Sequence, residues 1–350
     1  MARVCIVLGA GATRGASFVR HNSGGCLPPL VSDFFVQLQR ISDPTQDALI
    51  REVIETVRDI SGDPAEANVE NVYSAFQSIQ ELHELAKDAG VKAPQLIRGV
   101  KKAQENLEVA IKLCLDRSIA NPAGGHWACT NHETLASWLT ADDCVINFNY
   151  DCLMDSAVLA RAPTIFDPSR GYGFVHGTSI GGLNIDPTWA NPAAPAAPNP
   201  SLRLLKLHGS LHFQLTHPTR GRPTPMSMTL DLVPNPYTGA HSFAVIPPVV
   251  KKDYNKGFFA KLWVDAYEEL KECESLVIVG YSMAGTDFHS TTLFQRALKA
   301  GGLKNLVIAD PSVDTRNALV RKLGRFMNSK CRVVGLSGLG ELVSLAGHPW

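Results

Sequence analysis

The sequence predicts an α/β protein: a doubly wound, parallel, Rossmann-like sheet with a large all-helical insertion after its first strand. Three observations lead there. Short, near-continuously apolar runs occur at 3–12, 142–149, 202–209, 275–282, 305–312 and 331–337, the pattern of strands buried on both faces. Helical patterns at 287–300 and 313–327 separate the last three runs, and such alternation builds parallel crossover units. Between Asp33 and Leu139 the apolar spacing changes to steps of three and four.

The first run, RVCIVLGAGA (3–12), reads as a strand entering a glycine turn rather than as a signal peptide, because its apolar part is short. In the helical block Val69, Val72, Tyr73, Phe76, Ile79 and Leu82 share one face, as do Leu96, Val100, Ala103, Leu107 and Ile111. Charge within it is uneven. Residues 43–90 carry eleven acids and three bases, and residues 91–120 six bases and three acids, which fits helix faces that attract each other or a protomer interface. PTWANPAAPAAPNPS (187–201) and THPTRGRPTPM (216–226) read as loops. The expected division is a sheet domain of residues 1–32 and 140–350 around an insertion of residues 33–139.

At 350 residues the chain has ample length for a core and a closed cleft. Thirty-three basic residues balance thirty-three acidic ones, so nothing global favours nucleic acid or an anionic membrane. No apolar run is long enough to cross a bilayer. The eight cysteines include no CxxC pair, which points away from a zinc ribbon or disulfide scaffold and towards free thiols in the cytoplasm.

Chemistry-bearing residues gather at strand ends. Gly9-Ala10-Gly11-Ala12-Thr13 forms a strand-to-helix turn of the kind that brings backbone N–H groups to a phosphate. Gly15 is one position off the dinucleotide fingerprint and no ribose-holding acid follows about twenty positions on, so a tight turn without ligand is equally consistent. NFNYD (147–151) puts Asn149 and Asp151 at the ligand-binding edge of the sheet, with a helix cap and a satisfied loop as the alternative. KLHGS places His208 at that edge, either as a structural histidine or as a base. Gly280 and Ser282 of GYSMAGTD could meet a phosphate or ribose, with Asp287 capping the next helix. Asp310 could accept from ribose hydroxyls or cap a helix.

Two other constellations are weaker. His126, Cys129 and His132 have ligand-like spacing, but no fourth ligand is near and no metal is expected. Gly280-Tyr281-Ser282-Met283-Ala284 approaches a nucleophile elbow, with Asp310 and His348 following in hydrolase order, but Ala284 stands where an elbow has glycine.

The ordered set GAGAT, NFNYD, KLHGS, GYSMAGTD and VIADPS, with PPLVSDFF (28–35), resembles the sirtuin family, closest to its zinc-free bacterial branch associated with defence against phage. The likeness spans about residues 1–30 and 140–340. It lacks the four-cysteine zinc module and the Pro-Asp-Phe-Arg run of the lysine deacylases. The resemblance implies NAD as substrate, with Gly9, Ala10, Gly11, Ala12 and Thr13 at its diphosphate. Asn149 would hold the nicotinamide ribose or the attacking water, Asp151 the nicotinamide side, and His208 would be the ribose-contacting base. Gly280, Ser282 and Asp310 would bind the adenosine half. The implied activity is hydrolysis of NAD to ADP-ribose and nicotinamide during phage infection, by a homo-oligomer that in some systems works with a HerA-type ATPase. The alternatives are a subunit that holds NAD or ADP-ribose without cleaving it, and a deacylase or ADP-ribosyltransferase.

Overall fold

The structure, a computed structural model, describes residues 3–21, 25–90, 100–123, 127–173, 179–180, 183–185, 201–216, 224–228, 241–245, 257–284, 287–345 and 347–350. Its elements begin with β1 (Val4–Leu8), α1 (Ala10–Arg14), α2 (Phe34–Gln39), α3 (Asp47–Ser61), α4 (Val69–Asp88), α5 (Val100–Ile119) and α6 (Thr130–Ser137). Next come β2 (Cys144–Asn147), α7 (Leu153–Arg161), α8 (Pro168–Gly171), β3 (Ser179–Ile180), β4 (Leu183–Ile185), β5 (Arg203–Lys206), β6 (Gly209–Thr216), β7 (Thr224–Met228) and β8 (His241–Val245). The chain closes with α9 (Gly257–Glu272), β9 (Ser275–Val279), α10 (Phe288–Ala300), β10 (Asn305–Ala309), α11 (Val313–Gly324), β11 (Arg332–Leu336) and α12 (Leu339–Ser344). The chain divides into two compact units, one of residues 1–19, 125–245 and 254–350, the other of residues 20–124 and 246–253.

The first unit holds a six-stranded sheet in the order β11-β10-β9-β1-β2-β5. Every pairing in it is parallel. The apolar runs explain the arrangement. Each residue of β1 and of β9 is buried, as strands covered by helices on both faces must be. Helices α6, α7 and α12 pack as one group and α9, α10 and α11 as another. β11 lies at the edge, where Val333 is left exposed. This is the doubly wound Rossmann-like α/β sheet that the sequence predicts.

Three expectations need correcting. The run 202–209 is not one strand: β5 stops at Lys206, and His208 sits in a tight turn before Gly209, whose φ of 81° leads into β6. A second, five-stranded sheet, in the order β3-β4-β7-β6-β8, accompanies the parallel one. The loop expected at 216–226 begins on the last residue of β6 and ends inside β7. Most of the Pro/Ala-rich stretch 187–201 lies outside the described residues.

In the second unit, α2 to α5 enclose Phe34, Phe35, Leu38, Val53, Val57, Val72, Tyr73, Phe76, Leu107 and Cys114. Asn68 caps α4, its side chain accepting from the N–H groups of Glu70 and Asn71. The uneven charge becomes ion pairs from α5 to α3 and to the loop before it, Lys102 to Glu52 at 2.8 Å and Arg117 to Asp43 at 2.6 Å. Leu82 departs from expectation: it is 61% exposed, because the buried face of α4 narrows beyond Phe76. Leu96 lies outside the described residues. Among the described residues no helix is long and apolar enough to cross a membrane.

Candidate functional site

The turns after β1 and β9 are laced together by backbone. The Gly9 N–H donates to Val279 O at 3.0 Å, the Gly11 N–H to Gly280 O at 2.9 Å, and the Gly280 N–H to Ala309 O at 2.9 Å. A Cβ at Gly9 would lie 2.5 Å from Gly280 O, and one at Gly280 would lie 2.3 Å from Ala12 N. Gly280 also has φ of 56°. Backbone contact therefore demands these glycines whether or not a ligand follows. Gly280→Ala is expected to destabilise the protein by about 2–4 kcal/mol, from left-handed strain and overpacking together. Urea denaturation checks this, and an unmoved midpoint would show that the turn relaxes freely.

The same bonds correct one detail of the predicted phosphate cradle. The N–H groups of Gly9 and Gly11 are committed to the β9 turn, and that of Ala12 donates to Gly9 O at 2.8 Å. An anion at this turn would not be met by those three amides.

Asn149 and Asp151 arrive from the end of β2 and join the turn through Thr13. Asn149 Nδ2 donates to Gly9 O and to Thr13 Oγ1, each at 2.9 Å. Thr13 Oγ1 donates to Asp151 Oδ2 at 2.7 Å, while Asp151 Oδ1 accepts from the Leu153 N–H at 3.0 Å. All three side chains are buried. Asp151 thus accepts from the first N–H of α7, although Cys152 rather than Asp151 is the N-cap, and it also holds the glycine turn through Thr13.

His208 is fixed against this segment by its neighbours. The Leu207 N–H donates to Asn147 O at 3.1 Å, the Leu211 N–H to Tyr150 O at 2.9 Å, and Ser210 Oγ to Tyr150 O at 3.1 Å. The imidazole meets Phe148 edge-on, with centroids 5.0 Å apart, and Trp263 at 6.4 Å. Phe148 stacks in turn on Tyr281 at 4.2 Å, and Tyr281 borders Gly9. His208 Nε2 lies 3.9 Å from Asp287 Oδ2, too far for a hydrogen bond but suited to an ion pair when the ring is protonated. Asp287 caps α10 through the Ser290 N–H, as expected, and also accepts from the Tyr281 hydroxyl at 2.8 Å. The aromatic surround and the carboxylate facing His208 were not read from the sequence.

Nor was Lys206. It is fully buried, its ammonium 3.1 Å from Asp155 Oδ2 and donating also to Asp151 O. Tyr172 OH donates to Asp155 Oδ1 at 2.7 Å. Burial disfavours the ammonium, but the charge and hydrogen bond of Asp155, with the charges of Cys152 and Asp151, together outweigh it and hold the Lys206 pKa above the ordinary value. Burial and Asp155 together push the Tyr172 phenol well up.

Asp310 directly follows β10 beside the Gly280 turn, since Gly280 donates to Ala309, the last residue of that strand. Its Oδ1 accepts from the Ser312 N–H at 2.9 Å, and Ser312, not Asp310, is the N-cap of α11. Burial raises the Asp310 carboxyl above its usual range, against the Ser312 N–H and the charge of Arg316. Ser282 is exposed. The hydrolase order is not matched by an elbow at Ser282: the left-handed residues of that turn are Gly280 and Met283, φ 56° and 48°, and His348 is stacked on Trp350 at 5.3 Å. No group of three or more metal-ligating residues occurs among the described residues, and His126 lies outside them.

Renumbered along the chain, the parallel sheet has the order 3-2-1-4-5-6, with the winding reversing between β1 and β9. The Gly9 and Gly280 turns sit at the carboxyl ends of those two strands, where open α/β sheets form a ligand crevice. The chain matches no protein-family model and no curated protein. Among solved structures it is similar to a Sir2 homologue in complex with NAD, at 11% identity over 97% of this chain and 86% of that one, with a TM-score of 0.38. A second similar structure, described under the mechanism and regulation of Sir2 enzymes, has 16% identity over 71% of this chain and 80% of that one, with a TM-score of 0.32.

Proposed function

We propose that this chain binds NAD at the reversal point of its sheet and hydrolyses the nicotinamide–ribose bond, releasing nicotinamide and ADP-ribose. The observation that carries the reading is the meeting of four strand ends there: the glycine turn of β1, Asn149 and Asp151 after β2, His208 after β5, and Gly280 after β9. Breaking an N-glycosidic bond develops positive charge at the ribose, which fixed dipoles and carboxylates stabilise without a metal. On this reading His208, faced by Asp287, takes the proton of the attacking water or ribose hydroxyl. Asn149 and Asp151 set the glycine turn, and Asp310, Gly280 and Ser282 face the adenosine half. NAD is a substrate here, not a recycled cofactor.

The resemblance extends the proposal to a cytoplasmic anti-phage effector that depletes NAD. Its sheet domain would carry the chemistry, its helical insertion would serve assembly into a homo-oligomer, and a HerA-type ATPase would be one partner. One observation favours a second reading. Both amide hydrogens of Asn149 and both oxygens of Asp151 are engaged within the protein, as in a subunit that holds NAD or ADP-ribose without turning it over.

Incubating purified protein with NAD, with and without an acyl-lysine peptide, separates these. Nicotinamide and ADP-ribose without peptide support hydrolysis; release only with peptide means transfer to an acceptor; saturable binding with no release means a binder. Asp310→Ala is expected to raise the apparent KM for NAD about tenfold while leaving kcat within about twofold, the loss of one charge-assisted ribose contact. An unchanged KM in steady-state assays would leave Asp310 as the turn before α11.

A further inference from the structure

Cys129 and His132 form a pair that the proposed NAD chemistry does not use. Cys129 is the N-cap residue of α6, and His132 is one turn on, its Nδ1 3.0 Å from Cys129 Sγ. The Ser17 N–H and Ser17 Oγ approach the same sulfur at 3.4 and 3.7 Å. The arrangement is held from both sides. The Thr130 N–H donates to Ser17 Oγ at 3.1 Å, Asn131 Nδ2 to Gly15 O at 3.2 Å, and Phe18 stacks on Trp127 at 6.2 Å. Three donors and a helix N-terminus around one sulfur favour the anion over the thiol.

Burial pushes the Cys129 thiol up, but hydrogen bonding and charge from His132, aided by the Ser17 N–H, outweigh it and bring it down to about 7. Burial pushes His132 down, and the bond and charge of Cys129, with the charge of Asp151, carry it above its ordinary value. The other described pairings of cysteine differ in kind. Cys26 and Cys114 lie 3.6 Å apart in the helical unit, where the Cys26 thiol donates to the backbone carbonyls of Leu27 and Cys114. Cys129 is itself 4% exposed and lies between the exposed Ala128 and Thr130.

We propose that Cys129 is a thiolate paired with the His132 imidazolium, and that it is a site of oxidation by a small peroxide. In the step, a sulfur lone pair attacks one oxygen of hydrogen peroxide and the O–O bond breaks. The departing hydroxide takes the His132 proton and leaves as water. Sulfur becomes a sulfenic acid, oxidised by two electrons, the peroxide is reduced, and the imidazole is left neutral. This assignment does not depend on NAD being the substrate.

Alkylation of the folded full chain by iodoacetamide, followed residue by residue by mass spectrometry from about pH 5 to about pH 10, tests it. The expected midpoint for Cys129 is near 7, at least about one pH unit below that of the partly exposed Cys331. His132→Gln should move it up by about one unit or more. After brief peroxide treatment, dimedone should mark Cys129, about tenfold less in His132→Gln. Should that variant unfold, the midpoint of Cys129 in the wild type against the urea-denatured chain decides the matter. A Cys129 that alkylates like an ordinary thiol or not at all, or a dimedone adduct confined to Cys331, overturns the proposal.

Discussion

Lys206→Met is expected to lower the stability of the protein by about 3–5 kcal/mol, the typical penalty for removing one partner of a buried ion pair. The lysine and Asp155 are both fully inaccessible to solvent. Methionine fills similar volume, so the loss is electrostatic rather than a cavity. It takes the lysine charge away from a buried carboxylate to which Tyr172 still donates, and removes a donor from Asp151 O. Against the roughly 5–15 kcal/mol that holds a domain together, such a loss threatens folding at physiological temperature. The companion variant carrying Asp155→Asn as well is expected to recover part of it, because no unpaired charge then remains. Equilibrium denaturation of the single and double variants measures the coupling. A Lys206→Met protein within about 1 kcal/mol of wild type would mean that water reaches the pair.

His208→Ala is expected to leave the fold in place and to cut NAD cleavage by about 10²–10⁴, the usual consequence of losing a general base. The fold should tolerate it, because the turn bearing His208 is fixed by backbone bonds from Leu207 and Leu211 rather than by the ring. The ring instead occupies the space between Phe148, Trp263 and Asp287. Binding of NAD, followed by calorimetry, should change far less than turnover, since the proton is moved only during reaction. Wild-type turnover in a well-folded His208→Ala protein would remove the base from the mechanism. Asn149→Ala is a less clean probe: it breaks two buried hydrogen bonds to the glycine turn, so lost activity and lost structure would arrive together.

The parallel sheet was legible because strands covered on both faces must be apolar throughout, a local property of the chain. β1, β2, β9, β10 and β11 all fall within the runs read from the sequence. The second sheet was hidden. Apart from β6 its strands are short, and Pro225 inside β7 argues against a strand when taken by itself. The glycine turn, Asn149, Asp151 and His208 were visible as polar residues at strand ends, whereas their supports were not. Lys206 could be noticed as the one charge in LLKL, but Asp155 lies 51 positions away and only the tertiary fold pairs them. Asp287 read as a helix cap because capping is local; its approach to His208 is tertiary. The exposure of Leu82 shows the same limit in reverse, since periodicity marks an apolar face but not how far a neighbour covers it.

The central strand has no partner nearby in the chain. Cys5 lies opposite Cys144 on one side and Leu276 on the other. Loop-closure entropy grows only with the logarithm of length, by about 0.6 kcal/mol per doubling, so interposing a helical unit between β1 and β2 is thermodynamically cheap. It is kinetically dear, because folding slows as contacts become less local. The strand that carries the glycine turn must therefore find its slot between neighbours 139 and 271 positions away, whereas in the helical unit α3 packs on α4 and α4 on α5, each on the next helix along.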